Sequence, residues 1–142
     1  MPRRIFLRDV LGWAKQSVAS DMHFAIERFE RGRMLWRENP ELICVLVNGG
    51  NWASYDDTNT DTEPQTDPSI VSPGPALYQP CCRFGKLWRT NLDVRQQLNW
   101  GVEPEHGNTG QAQDFQHGTM VSLEGTVHII GKRDAQPVWM QY

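Results

Sequence analysis

The side chains best suited to chemistry in this chain are its six tryptophans, and the chemistry they suit is recognition. A sugar ring presents a face of C–H groups that stacks on an indole, while polar neighbours take the hydroxyls. Trp13, Trp52, Trp100 and Trp139 recur at matched places in the two halves of the chain and are assigned to the core. Trp36 and Trp88 have no counterpart and are expected to form an exposed platform. Arg37 and Asn39 lie beside Trp36, and Arg89 and Asn91 lie beside Trp88. Pockets need a few such polar groups next to an apolar wall. The expected ligand-binding set is therefore Trp36, Arg37, Asn39, Trp88, Arg89 and Asn91.

Other chemistry finds less support. Glu27 and Glu30, and Glu103 and Glu105, form no carboxylate pair across a predictable cleft. No serine elbow, Cys–His pairing or phosphate-cradling glycine loop is present, so no catalytic residue is expected. His23, His106, His117 and His128 lack the spacing of metal ligands and read as surface histidines. Asp57, Asn59, Asp61 and Glu63 alternate like the first half of a calcium loop, but Thr62 stands where Gly is needed and Pro68 where the bidentate Glu belongs. No metal or cofactor is expected. Cys44 reads as a small buried residue. Cys81 and Cys82 are adjacent, and neighbouring cysteines rarely bridge each other. A bridge from Cys44 to either remains open.

The elements that must position these residues are announced by an echo. Phe29-Glu30-Arg31-Gly32-Arg33-Met34-Leu35 returns as Phe115-Gln116-His117-Gly118-Thr119-Met120-Val121. Leu11-Gly12-Trp13 answers to Leu98-Asn99-Trp100, Ile43–Leu46 to Val127–Ile130, and Trp52–Tyr55 to Trp139–Tyr142. Landmarks in this order point to a tandem duplication. Ile5–Gln16 and Leu92–Trp100 predict short helices. Residues 24–29, 34–36, 42–47 and 52–55 predict four strands, and 111–115, 119–123, 126–130 and 138–142 four more. Asn48-Gly49-Gly50-Asn51 predicts a tight turn, Gly131–Pro137 a longer charged loop, and Gly101–Gly110 an irregular stretch. Gly32 and Gly118 are assigned to turns. Asp56–Pro80 has five prolines, five acidic residues and no Lys or Arg, and reads as a surface linker.

The fold expected is mainly β with short helices. It comprises two homologous modules, 1–55 and 81–142, joined by the linker 56–80. Each module is a short helix plus a four-stranded antiparallel meander, the size of a propeller blade. Two blades cannot close a ring, which leaves two packed sheets or a closing homo-oligomer. A net charge of −3 offers no basic field for nucleic acid, and no apolar run approaches a membrane span. Met1-Pro2-Arg3-Arg4 is basic, but the apolar stretch after it breaks at Arg8 and Asp9, unlike a signal peptide.

The entry Phe84-Gly85-Lys86-Leu87-Trp88-Arg89, Leu98-Asn99-Trp100, the Phe-x-x-Gly-x-Met at 115–120 and the terminal Trp139-Met140-Gln141-Tyr142 resemble a tandem module of bacterial secreted and surface proteins. Leu11-Gly12-Trp13, Glu27, Phe29, Gly32 and Met34 fit the rhythm of the LGFP repeat. Ala14 and Gly101 stand where that repeat carries Pro, and the first copy lacks the entry segment. The resemblance implies an extracellular or cell-surface setting and a non-catalytic module that binds cell-surface or cell-wall carbohydrate. The alternative is a structural or assembly module of a larger surface protein, and a glycoside hydrolase comes third.

Overall fold

The computed structural model describes residues 6–142. Ile5, where the first helix was expected to begin, and the basic stretch before it lie outside the described residues. The chain runs α1 (Leu7–Leu11), β1 (Ser20–Phe29), β2 (Gly32–Arg37), β3 (Leu42–Val47), β4 (Trp52–Tyr55), α2 (Cys82–Thr90), α3 (Leu92–Leu98), β5 (His106–Phe115), β6 (Gly118–Leu123), β7 (Thr126–Arg133) and β8 (Gln136–Gln141).

The fold is mainly β with short helices, and all eight strands form one antiparallel sheet in the order β4-β3-β2-β1-β5-β6-β7-β8. The expected pair of packed sheets is replaced by this single sheet. Its two meanders are joined where β1 pairs with β5, Ser20 opposite Ala112 through Ile26 opposite His106. That pairing draws polar residues into strands. Ser20–His23 and His106–Gly110, the latter within the stretch expected to be irregular, each satisfy their backbone groups on the other.

The sheet curls until its edges meet. The Trp139 amide donates to the Gly50 carbonyl at 2.8 Å. The Trp139 indole donates to the Val47 carbonyl at 2.7 Å, and the Trp52 indole to the Gly131 carbonyl at 2.7 Å. Each indole thus reaches the strand before the other, across the seam. Inside lie Met22, Phe24, Ile26, Leu35, Cys44, Leu46, Ala112, Val121, Leu123, Ile130 and Trp139, with Trp52 packed against them. All eight strands contribute, as the alternation of side chains along a curled sheet requires.

The outer face carries two further clusters. Phe29, Met34, Ile43 and Val45 pack beneath α2 and α3 with Phe84, Trp88, Val94 and Leu98. Ile129 packs beneath α1 with Val10 and Leu11, flanked by Phe115, Met120 and Val127. The helices are exchanged between halves. The Leu11 and Trp13 carbonyls accept from His117 and Gln116, and the Leu98 and Trp100 carbonyls accept from Arg31 and Glu30. Both helices end on a positive φ, 75° at Gly12 and 63° at Asn99. Phe29/Phe115, Met34/Met120 and Trp52/Trp139 hold matching places. One member of each pair is buried and the other half-buried; Phe29 and Met34 are the buried members because they lie beneath α2 and α3, whereas Trp139 is buried inside the curled sheet.

The glycines after the two hairpin turns matter for a reason the sequence did not disclose. A Cβ on Gly32 would collide with the Leu46 carbonyl, and one on Gly118 with the Ile130 carbonyl. They are bare so that neighbouring strands can approach. Gly131–Pro137 is not a long loop. β7 and β8 run on through it to a two-residue turn at Asp134-Ala135, both at positive φ, the conformation that matches strand twist.

Residues 56–80 form no helix or named strand but are held down. Tyr78 bridges to Gly101, Asp57 faces Arg83 at 3.5 Å, and Glu63 meets Lys86 at 2.8 Å. Ile70 packs on the core beneath α2 and α3.

The seam makes a measurable claim. Trp139→Ala removes a buried indole and its bond, and is expected to cost ~3–5 kcal/mol. Trp139→Phe keeps most of the ring but removes the indole bond, leaving the Val47 carbonyl with the Gly50 amide at 3.1 Å, for ~0.5–1.5 kcal/mol. Urea unfolding of both variants checks this, and a Trp139→Phe variant as stable as wild type would mean the indole bond contributes nothing.

Candidate ligand-binding site

The best-formed recognition surface lies on the outer face where the two meanders join. Register places Trp36 beside Ala25 and Ala25 beside Gly107. A large aromatic next to two of the smallest residues leaves a step in the sheet surface. The result is an open depression of about 450 Å³, lined by Trp36, His23, Ala25, Arg83, Glu105, His106, Gly107, Asn108 and Thr109. Trp36 is half-buried, and the Arg83 guanidinium stacks 3.9 Å from its ring centroid, a favourable cation–π contact. The Trp36 indole nitrogen is buried without an acceptor.

The other expected ligand residues do not gather here. Trp88 is 1% exposed and donates to the Asn99 carbonyl at 2.6 Å. It is a core residue, which corrects its assignment to an exposed platform. With Phe84 it seals the cluster beneath α2. Arg37 is buried, and its guanidinium grips both Asp114 oxygens at 2.7 and 3.2 Å, Thr119 at 3.2 Å and the Asn39 carbonyl at 2.9 Å. It closes one mouth of the curled sheet, where Asn39 lines a separate cleft. Arg89 donates to the Gln65 and Pro64 carbonyls. The Asn91 side chain caps α3 by accepting from the Val94 amide at 3.2 Å. Trp13, assigned to the core, is 67% exposed, with Arg8 over its ring.

Histidines divide sharply. His106 is half-exposed and meets Glu124 at 2.7 Å, a bond that raises its pKa. His128 is 1% exposed, which corrects its reading as a surface residue. Its Nε2 faces the Arg33 guanidinium at 3.2 Å and its Nδ1 faces the Val121 carbonyl at 3.4 Å. Arginine can only donate, so Nε2 accepts, Nδ1 carries the proton and the ring is neutral. Burial first, and Arg33 second, lower its pKa. At Asp114 burial works upward, but the hydrogen bond and charge of Arg37 outweigh it and hold the carboxyl low.

Glu27 lies under the helices at 1% exposure. Gly101 makes room for it, since a Cβ there would run into its carboxylate. One carboxyl oxygen has no partner. Burial, then the charges of Glu105 and Glu103, raise its pKa to about 8. A carboxyl so enclosed is closed to a polymeric substrate.

Cys81 and Cys82 are bridged to each other, against the expectation for neighbouring cysteines. Cys44 is free and buried, and burial raises its thiol to about 11. Among the described residues, no helix is long and apolar enough to cross a membrane. No protein-family model, curated protein or solved structure matches the chain.

The register explains what sequence reasoning missed. Ala25 and Gly107 carry no signal separately, and only the pairing of β1 with β5 makes them a floor. Chemically, the depression offers an aromatic wall, cationic and anionic groups, an amide and a hydroxyl, an assembly suited to holding a polyhydroxylated ligand.

The Glu27 carboxyl is protonated in the fold at neutral pH and ionised in the unfolded chain. Its stabilisation is full below pH 4.5 and is lost as pH rises to about 8. His128 works oppositely, losing its contribution as pH falls below 6.5. Comparing wild type with Glu27→Gln cancels the histidine. The variant is expected to gain on wild type by up to ~1.4 kcal/mol per pH unit across that window. A constant difference between pH 5 and 8 in denaturation curves would overturn the assignment.

Proposed function

We propose that this chain is a non-catalytic binding module for cell-surface or cell-wall carbohydrate, with its site in the depression over Ala25 and Gly107. The observation that carries the reading is the step in the sheet between Trp36 and those two small residues, ringed by hydrogen-bonding groups. A sugar ring lies on that floor, edged by Trp36. Its hydroxyls meet Arg83, Glu105, Asn108 and Thr109. The site is shallow and wet, so affinity is modest, with dissociation constants of ~0.1–1 mM or ~4–5.5 kcal/mol. The resemblance to LGFP-like repeats supports an extracellular setting and a glycan partner. An assembly role within a larger surface protein, including a homo-oligomer, is favoured by one observation, the exposed apolar side chains of Phe6, Leu7, Trp13 and Val18 around α1.

Titration of wall fragments and common polysaccharides against intrinsic tryptophan fluorescence tests the reading. Gly107→Val is the decisive variant. Its Cβ would meet only the Phe24 carbonyl, at 3.4 Å, and β-branched residues suit strands, so the fold is retained while the floor is filled. Binding is expected to fall at least ~10-fold, a loss of ~1.4 kcal/mol, with the melting temperature little changed. Binding that survives Gly107→Val, or no binding by any polysaccharide at millimolar concentration, would sink this reading.

A further inference from the structure

The Cys81–Cys82 bridge does little for the fold by the usual route. A disulfide stabilises mainly by closing a loop in the unfolded chain, and the gain grows with loop length. Adjacent residues close almost none. What the bridge does instead is bring two sulfurs to the start of α2, with Cys81 as the N-cap and Cys82 as the first helical residue. The amides there favour thiolate over thiol. One Glu105 carboxylate oxygen joins them, and the three ligand atoms all lie within 4.8 Å of one another. The group is half-buried. Cys82 and Glu105 line an open polar cleft of about 490 Å³, with Asn59, Asp61 and Gln65 across it. Burial raises the Glu105 pKa, as expected of a carboxyl kept from bulk water beside other acidic groups.

We propose that Cys81, Cys82 and Glu105 form a redox-gated site for a thiophilic divalent cation, closed while the sulfurs are bridged and opened by reduction. Two molecules of an external thiol reduce the bridge. Each gives up one hydrogen, the S–S bond breaks, two protein thiols form, and the external thiols leave as their own disulfide. The cation then displaces a proton from each thiol, and the carboxylate completes a set of three protein ligands. The cleft supplies water at the fourth position. Two thiolates with one carboxylate suit zinc or cadmium better than calcium or magnesium, which prefer oxygen.

The test reduces the full chain, removes the reductant without oxygen and titrates Cd²⁺, followed by the thiolate-to-cadmium absorption in the ultraviolet. Zn²⁺ competition against a chromophoric chelator gives a second reading. The reduced chain is expected to bind one Cd²⁺ and the oxidised chain none. Cys81→Ser and Cys82→Ser abolish binding, Glu105→Gln weakens it roughly tenfold, and Cys44→Ser leaves it unchanged. Alkylating the reduced thiols abolishes binding without any substitution, which covers a serine variant that fails to fold. Equal binding by oxidised and reduced chains, retention of binding after alkylation, or no binding by the reduced chain would overturn the proposal. None of these outcomes depends on carbohydrate binding.

Discussion

An eight-stranded sheet with free edges has two rows of unpaired backbone groups, and this fold depends on bringing those edges together. The seam is narrow. β4 is only four residues long, and one backbone bond joins Gly50 to Trp139. The two indole bonds extend the join because each spans farther than a backbone group can. An indole brings a large apolar surface and a single donor, so the same side chain fills the interior and satisfies a carbonyl at the seam. Without that closure, the cluster led by Phe24, Leu35 and Leu46 would face solvent along one side.

Closure also explains the exchanged helices. Each hairpin turn needs its amides satisfied and its outer face covered. The helix preceding a meander in sequence is carried to the far side of the β1–β5 junction and completes the other meander. Neither half then has a finished outer face alone, although each keeps its own four strands. The halves differ most in what α2 adds. It covers the first meander, sets Arg83 on Trp36 and brings Cys81 and Cys82 to Glu105. Arg83, Cys81 and Cys82 all come with this segment, which has no counterpart before β1.

The legible part of the sequence was the part set by local chemistry. β3 and β4 were readable from Leu42–Val47 and Trp52–Tyr55, because β-branched and aromatic runs bounded by turn residues leave few alternatives. The echo marked both hairpins. Long-range pairing was not legible. Ser20–His23 and His106–Gly110 are polar, and only their mutual register makes them strands. His128 looks like a surface residue until Arg33 is placed against its Nε2. The position matching His128 in the first half is Cys44, so the echo itself contained a hint that the site is buried. At Trp88 the absence of a repeat is no sign of exposure. This residue lacks a partner because its whole helix does.

Glu105 and Arg83 line both the depression and the neighbouring cleft, so occupation of one proposed site is expected to alter the other. In the depression the Glu105 carboxyl is free to meet a sugar hydroxyl. The same carboxyl bound to a cation is committed as an anionic ligand and turned toward the sulfurs. Arg83, whose guanidinium rests on Trp36, follows Cys82 directly in the chain. Coupling of this kind is reciprocal. If cation binding lowers affinity in the depression, an occupied depression lowers cation affinity by the same factor. The geometry makes the first half of that statement expected, since one side chain cannot serve both partners at once.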